Sequence, residues 1–274
     1  MNLNAKMWRS HHLFDVRIDA LTMDQVLDAA AEAVAQRRRL LVGVVNAAKL
    51  VNMRRDPLLR RAVLGADIIV ADGMSVVWAC RLLLRRLPER VAGIDLMVRL
   101  LERANENGWR VYCLGATEDV LRVLQERIRA GYPGVQLVGA RNGYFSPEQE
   151  EQVAKSIACA KPDLLFAGMS SPKKEQFLAD WAATMGVPVC HGVGGAFDVI
   201  AGKVSRAPML LQRMGLEWLY RVLQEPKRLW KRYLCTNVVF VGACMGELGR
   251  QLAKGLTGNM RVDRPIGGPL GIQG

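Results

Sequence analysis

The stretch DLLFAGMSSPKKE, Asp163–Glu175, decides how this chain is read. Leu164 to Gly168 form an unbroken apolar run with no alternation of polar side chains, the pattern of a strand buried on both faces. Ser171-Pro172 then reads as a helix N-cap followed by proline at the first helical position. Strand, short turn and helix together make one α/β unit.

The unit repeats in both directions. LLVGVV (40–45) leads into a helical pattern from Asn46, and DIIVAD (67–72) into another. RVYCLGA (110–116) runs to Thr117 as an N-cap, and VQLVGA (135–140) to Ser146-Pro147, a helix start with Gln149 at its third position. VPVCHGVGG (187–195) supplies the last strand, while FDVRI (14–18) precedes a helix whose Thr22 and Gln25 have capping-box spacing. Short apolar strands alternating with amphipathic helices predict a mostly parallel sheet covered by helices on both faces, in one α/β domain over residues 1–200. Beyond it no strand is expected, and Pro226 divides residues 201–250 into two helices, opening the second. Residues 251–274, rich in glycine and proline, read as a flexible tail.

Charge separates the two parts. The net charge is +12, and residues 203–232 carry eight basic side chains against Glu217 and Glu225, half of that excess. A concentrated excess implies an anionic partner: nucleic acid, phosphate or acidic lipid. The same segment is rich in Leu, Met and Trp, as a helix lying on a membrane surface requires. The longest membrane-like run, Tyr233 to Met245, has 13 residues, too few to span a bilayer. Six scattered cysteines without a C-x-x-C pair indicate a reducing compartment and no zinc site. The N-terminal segment, with His11 and His12, lacks a signal-type apolar core and reads as a flexible start.

In an open α/β sheet, ligands bind beyond the carboxyl ends of the strands. Asn46, Asp72-Gly73, Gly115, Asn142-Gly143-Tyr144, the turn from Gly168 and the segment HGVGGAFD (191–198) stand there. Gly192-Val193-Gly194-Gly195 is either a tight turn or a place for a phosphate. Ser171 to Lys174 is either a plain helix cap or an anion site, and Asp72 either a cap or a catalytic base. His191, alone at a strand end, reads as structural. No H-E-x-x-H, D-x-D, G-x-S-x-G or Walker pattern is present, so neither a metal nor a serine triad is expected.

Asn46, ADG (71–73), RVAG (90–93), PDLLFAGMSSPKKE (162–175), GVGGAFDVIAGKVSRAP (192–208) and GLEWLYRVLQEPKRLWKRY (215–233) occur in this order. The ordered set resembles the bacterial WecG/TagA/CpsF glycosyltransferases, over roughly residues 15–245. The resemblance implies a Rossmann-like core with a C-terminal helical appendage that meets the cytoplasmic face of the membrane. It implies inverting, metal-independent transfer of a sugar from a UDP-sugar, a co-substrate rather than a cofactor, to a sugar on polyprenyl diphosphate. It also implies a role in cell-surface or exopolysaccharide synthesis, and self-association is a common family property.

By position, Asp72 matches the general base, Asn46 a polar active-site residue and Arg90 a cation near the diphosphate or acceptor. Gly115, Gly143, Tyr144, Gly168, Gly194, Gly195 and Asp198 fall in the nucleotide-sugar wall. Arg206, Arg221, Arg228, Lys231 and Arg232 fall among the groups for the lipid diphosphate or membrane. Two positions depart from the family pattern: Val44 replaces a usual threonine, and Lys174 a usual glutamine beside the reaction centre. Both lead to the expectation that the donor or acceptor sugar differs from the N-acetylmannosamine and N-acetylglucosamine of the best-known members. The competing readings are a nicotinamide-dependent oxidoreductase using the glycine turn, which lacks the third glycine and an acidic ribose partner, and a non-enzymatic nucleic-acid binder acting through residues 203–232. The latter segment lacks the aromatic spacing of a single-strand platform.

Overall fold

The structure, a computed structural model, describes residues 8–224 and 226–259. In chain order its elements are strands β1 (Ser10–Leu13) and β2 (Val16–Asp19), helix α1 (Met23–Ala35), β3 (Leu40–Val45), helices α2 (Ala47–Met53) and α3 (Pro57–Leu64), and β4 (Ile68–Ala71). Next come α4 (Met74–Leu82), α5 (Gly93–Asn107), β5 (Arg110–Gly115), α6 (Glu118–Gly131), β6 (Gln136–Arg141) and α7 (Glu150–Ala160). Then follow β7 (Leu164–Gly168), α8 (Lys173–Met185), β8 (Val189–Gly192), α9 (Ala196–Ile200), α10 (Met209–Arg213), α11 (Glu217–Gln224) and α12 (Pro226–Asn259).

Six strands pair in parallel in the order β4-β3-β8-β7-β5-β6, so their carboxyl ends lie along one edge. The unbroken apolar runs are explained by two cores. Leu41, Val45, Ile69, Leu165 and Ala167 face one, closed by α2, α3, α4, α7 and α8. Leu40, Val42, Val44, Ile68, Val70, Leu164 and Phe166 face the other, closed by α1, α5, α6 and α9. Successive side chains of a strand point to opposite faces, so burial on both demands apolar residues at every position.

Four expectations need correction. FDVRI does not join the parallel sheet: Val16–Asp19 pairs with Ser10–Leu13 in a separate antiparallel hairpin, so His11 and His12 lie in a strand rather than a loose start. Ser171 is not the N-cap of α8. The peptide to Pro172 is cis, the helix begins at Lys173, and the Lys174 amide donates to the Ser170 carbonyl. Third, helix α12 passes residue 250 and ends at Asn259, because Gln251, Leu252, Ala253 and Lys254 are good helix formers and no proline intervenes. The rest of the expected tail, residues 260–274, lies outside the described residues.

Fourth, two short helices rather than one precede Pro226, α10 and α11, parted where Gly215 takes positive φ. The capping box of Thr22 and Gln25 is present, and Pro226 opens α12. That helix packs on α2 through Phe240 and Cys244, with Phe240 edge-to-face on Phe14 at 5.6 Å. Another face carries exposed Trp230, Leu234, Val238, Val241 and Met245. Steps of three and four residues put these five on one stripe. Among the described residues no helix is long and apolar enough to cross a membrane.

Candidate active site

The carboxyl edge is chemically uneven. At the β3–β4–β8 end, Asn46 is the N-cap of α2, its Oδ1 accepting from the Lys49 amide at 3.0 Å. This fixes the side chain so that its Nδ2 faces Asp72 Oδ2 at 3.4 Å. Asp72 Oδ1 accepts from the Gly93 amide at 2.8 Å. Gly93 is the first residue of α5, where helix amides lack intrahelical partners and attract negative charge. An added Cβ on Gly93 would stand 3.5 Å from Val44 Cγ2 and 3.8 Å from Asp72 Oδ1 and His191 Cε1. The Asp72 carboxylate is thus held on one oxygen by a helix start and on the other by an amide.

Beneath it lies an ion cluster that the sequence did not reveal. Glu175 Oε1 stands 2.8 Å from both Lys49 Nζ and Lys174 Nζ, with Lys174 7% exposed and Glu175 9%. Lys49 also donates to the Val44 carbonyl at 2.7 Å, so the residue in the usual threonine position takes part through its backbone. Burial alone would raise the Glu175 carboxyl, but the two ammonium groups override it and hold it down at about 2. Lys174 is pushed down to about 8 by burial and then by Lys49, against the pull of Glu175 and Asp72. Its stem runs under the glycine turn: an added Cβ on Gly192 would lie 3.3 Å from Lys174 Cδ and Cε, and one on Gly194 3.9 Å from Nζ. Gly194 also adopts positive φ, and the space beside Gly195 is open.

His191, fully buried, projects from β8 with Nε2 3.0 Å from the Gly93 carbonyl and Nδ1 3.4 Å from that of Val42. Burial lowers its pKa against the opposing pull of these carbonyls.

The β7–β5–β6 end differs. Gly115, at φ +136°, approaches the Gly168 backbone so closely that a Cβ would overlap it, and a Cβ on Gly168 would overlap the Phe197 ring. A Cβ on Gly143 would meet Met169 at 3.0 Å and the Gly115 Cα at 3.1 Å. These glycines permit close backbone packing. Tyr144 is 76% exposed, and Asp198 stands 4.0 Å from Lys203.

Arg90 is not a free cation. It pairs with Asp95 at 3.6 Å and with Glu217 of α11 at 3.2 Å. Arg206 pairs with Asp95 at 2.6 Å, and its Nε is buried without a hydrogen-bond partner among the described residues. Asp95 is two residues after Gly93, so both arginines stand at the same helix start as Asp72. The side chains of Arg221, Arg228, Lys231 and Arg232 lie outside the described residues. Among the described residues no group of three or more His, Cys, Asp or Glu side chains forms a metal-holding cluster.

The structure therefore gathers Asn46, Asp72 and Lys174 with the Gly192–Gly195 turn, sets Arg90 and Arg206 beside them, and leaves Tyr144 at the far edge strand. The Glycosyl transferase WecG/TagA/CpsF family description matches residues 11–254 of this chain. The chain belongs to this family. A relative from Bacillus spizizenii, N-acetylglucosaminyldiphosphoundecaprenol N-acetyl-beta-D-mannosaminyltransferase, is 36% identical over 180 residues, covering 66% of this chain and 69% of that protein. WecG/TagA/CpsF membership makes the chain a glycosyltransferase, with the parallel sheet expected from its sequence.

Proposed function

We propose that this glycosyltransferase moves a sugar from a UDP-sugar to a sugar carried on polyprenyl diphosphate, by single displacement with inversion and with no resident cofactor. The observation that carries the reading is the Asp72 carboxylate, held at the carboxyl edge of the sheet by the Gly93 amide and Asn46, with its charge felt by Lys174, whose stem underlies the glycine turn. Asp72 takes the proton of the acceptor hydroxyl as that oxygen bonds to the anomeric carbon. The bond from that carbon to the diphosphate breaks, its electron pair leaving with UDP. Fixed positive groups and backbone amides stabilise the leaving charge, and a buried ammonium does so more effectively than one in water. Arg206 and Arg90 belong to the acceptor side, where a guanidinium can pair bidentately with a diphosphate.

The carrier is supported by the name of the Bacillus relative, which acts on an undecaprenol-linked N-acetylglucosaminyl diphosphate. A peripheral position on a membrane is supported by the apolar stripe of α12 and by exposed Met209, Leu210 and Met214 of the α10 segment. Such a helix lies in the interface with its oily face in the acyl boundary.

The decisive experiment offers a panel of radiolabelled UDP-sugars with polyprenyl-diphosphate monosaccharides, the relative's own donor and acceptor sugars included, and reads the lipid-linked disaccharide formed. Asp72→Asn is expected to abolish transfer with UDP binding nearly intact. Full activity in that variant removes Asp72 from the base role.

A further inference from the structure

We infer that His191 is a positioning residue of the site, acting from β8 through Gly93 to hold the Asp72 carboxylate. This rests on the reading of Asp72 as the base. His191 shares the core face of β8 with Val189, where an aliphatic side chain would fill the space without the cost of burying a polar ring. The ring is completely buried, and the Phe166 ring meets it edge-on at 6.4 Å.

Its two nitrogens face only carbonyl oxygens. A neutral imidazole donates from one nitrogen, and the shorter contact, 3.0 Å against 3.4 Å, puts that proton on Nε2 toward Gly93. Gly93 has no side chain and is the most freely rotating residue at a helix start. Its amide holds Asp72 Oδ1 at 2.8 Å while its carbonyl receives His191. The two bonds lie on the two peptide planes flanking one Cα, so together they fix the torsions of Gly93 and the direction of its amide. Without the imidazole the first turn of α5 keeps its own hydrogen bonds, the Gly93 amide to Asp72 and the Val91 amide to the Ala71 carbonyl, but loses the bond that fixes the Gly93 carbonyl against β8. A general base gains its efficiency from fixed orientation, so small misplacements act on turnover rather than on binding.

The test compares His191→Leu, which cannot donate, with His191→Gln, whose amide can reach the same carbonyl. In His191→Leu, kcat should fall about tenfold, the loss of roughly one hydrogen bond, while KM for the UDP-sugar stays within about twofold. His191→Gln should recover most of the rate. The Gly93 amide resonance should shift and exchange faster with solvent in His191→Leu and return toward wild type in His191→Gln. A purely structural histidine would lower the melting temperature equally in both variants and leave the Gly93 amide and the rate per folded molecule alone; that result overturns the proposal. If His191→Leu does not fold, His191→Asn, too short to reach Gly93, takes its place under the same expectations. Because the amide readout needs no turnover, the two readings fail separately. An active Asp72→Asn removes the base while the Gly93 shift stands; wild-type kcat in His191→Leu with an inactive Asp72→Asn removes only the positioning role.

Discussion

The two ends of the sheet's carboxyl edge solve different problems. Around β3, β4 and β8 the residues are polar and mutually committed: Asn46 to Asp72, Asp72 to Gly93, and Lys49 and Lys174 to Glu175. Around β5, β6 and β7 they are glycines whose missing side chains let Gly115, Gly143 and Gly168 crowd together. One end holds charge in place and the other brings backbone close. A transfer reaction needs both, since charge develops on the leaving group only where the donor fits.

The comparison breaks first at Asp72. If the charged end carries the chemistry, Asp72→Asn loses transfer by orders of magnitude with donor binding kept, whereas substitution at the glycine end should act through stability and donor KM rather than through kcat. Next in size is Glu175→Gln, which leaves two buried ammonium groups without their carboxylate. Removing one partner of a buried ion pair costs about 3–5 kcal/mol, and denaturant unfolding would measure it. Its pH dependence has a defined sign. Glu175 titrates at about 2 against an ordinary 4.5, so its stabilisation is complete above the ordinary value and is lost as pH falls toward about 2. The variant should lack that component of acid sensitivity.

Gly168→Ala tests the other end. Its Cβ would overlap the Phe197 ring, which is fully buried and has little freedom to retreat. Overpacking of this kind costs about 1–3 kcal/mol. Loss of stability with kcat of the folded fraction retained would sharpen the division of labour; a collapsed kcat at full stability would erase it.

What could be read in advance follows the same division. Strands buried on both faces announce themselves by composition, which is why LLVGVV, DIIVAD and DLLFAGM were legible. Asn46 and Asp72 were legible because a polar residue directly after such a strand has few places to go. FDVRI was misassigned because a short apolar run does not name its partner strand. Lys49 was missed because a lysine on a helix reads as solvated until the packing of α8 buries it against Glu175. The Gly93 link was hidden because Gly93 follows Asp72 by 21 positions and its role lies in a backbone amide.

Lys174 separates rate from stability within the charged end. Its ammonium, titrating at about 8, is lost as pH rises through that value. If that charge assists departure of UDP, the rate falls above about pH 8, and Lys174→Gln shows a lower rate without that fall. Stability moves the other way. Between about 8 and the ordinary 10.5 the unfolded chain binds more protons than the folded one, so this group's contribution to stability rises with pH. Alkaline inactivation with an unchanged or rising melting temperature is the expected signature.

The smallest effect on the fold belongs to the stripe on α12. Val241→Ser removes an exposed side chain, so folding stability should change by about 0.5 kcal/mol or less. If the stripe meets a bilayer, the same change removes apolar area from the acyl boundary, where each methylene is worth about 0.8 kcal/mol. Combined with Leu234→Ser and Met245→Ser, it should lower partitioning onto anionic vesicles by at least tenfold, roughly 1.4 kcal/mol. Turnover of a short-chain, water-soluble acceptor should be unchanged, because these side chains point away from the core that carries Asp72. Equal losses with long-chain and short-chain acceptors would instead make α12 part of the acceptor site itself and leave the membrane without a role in its design.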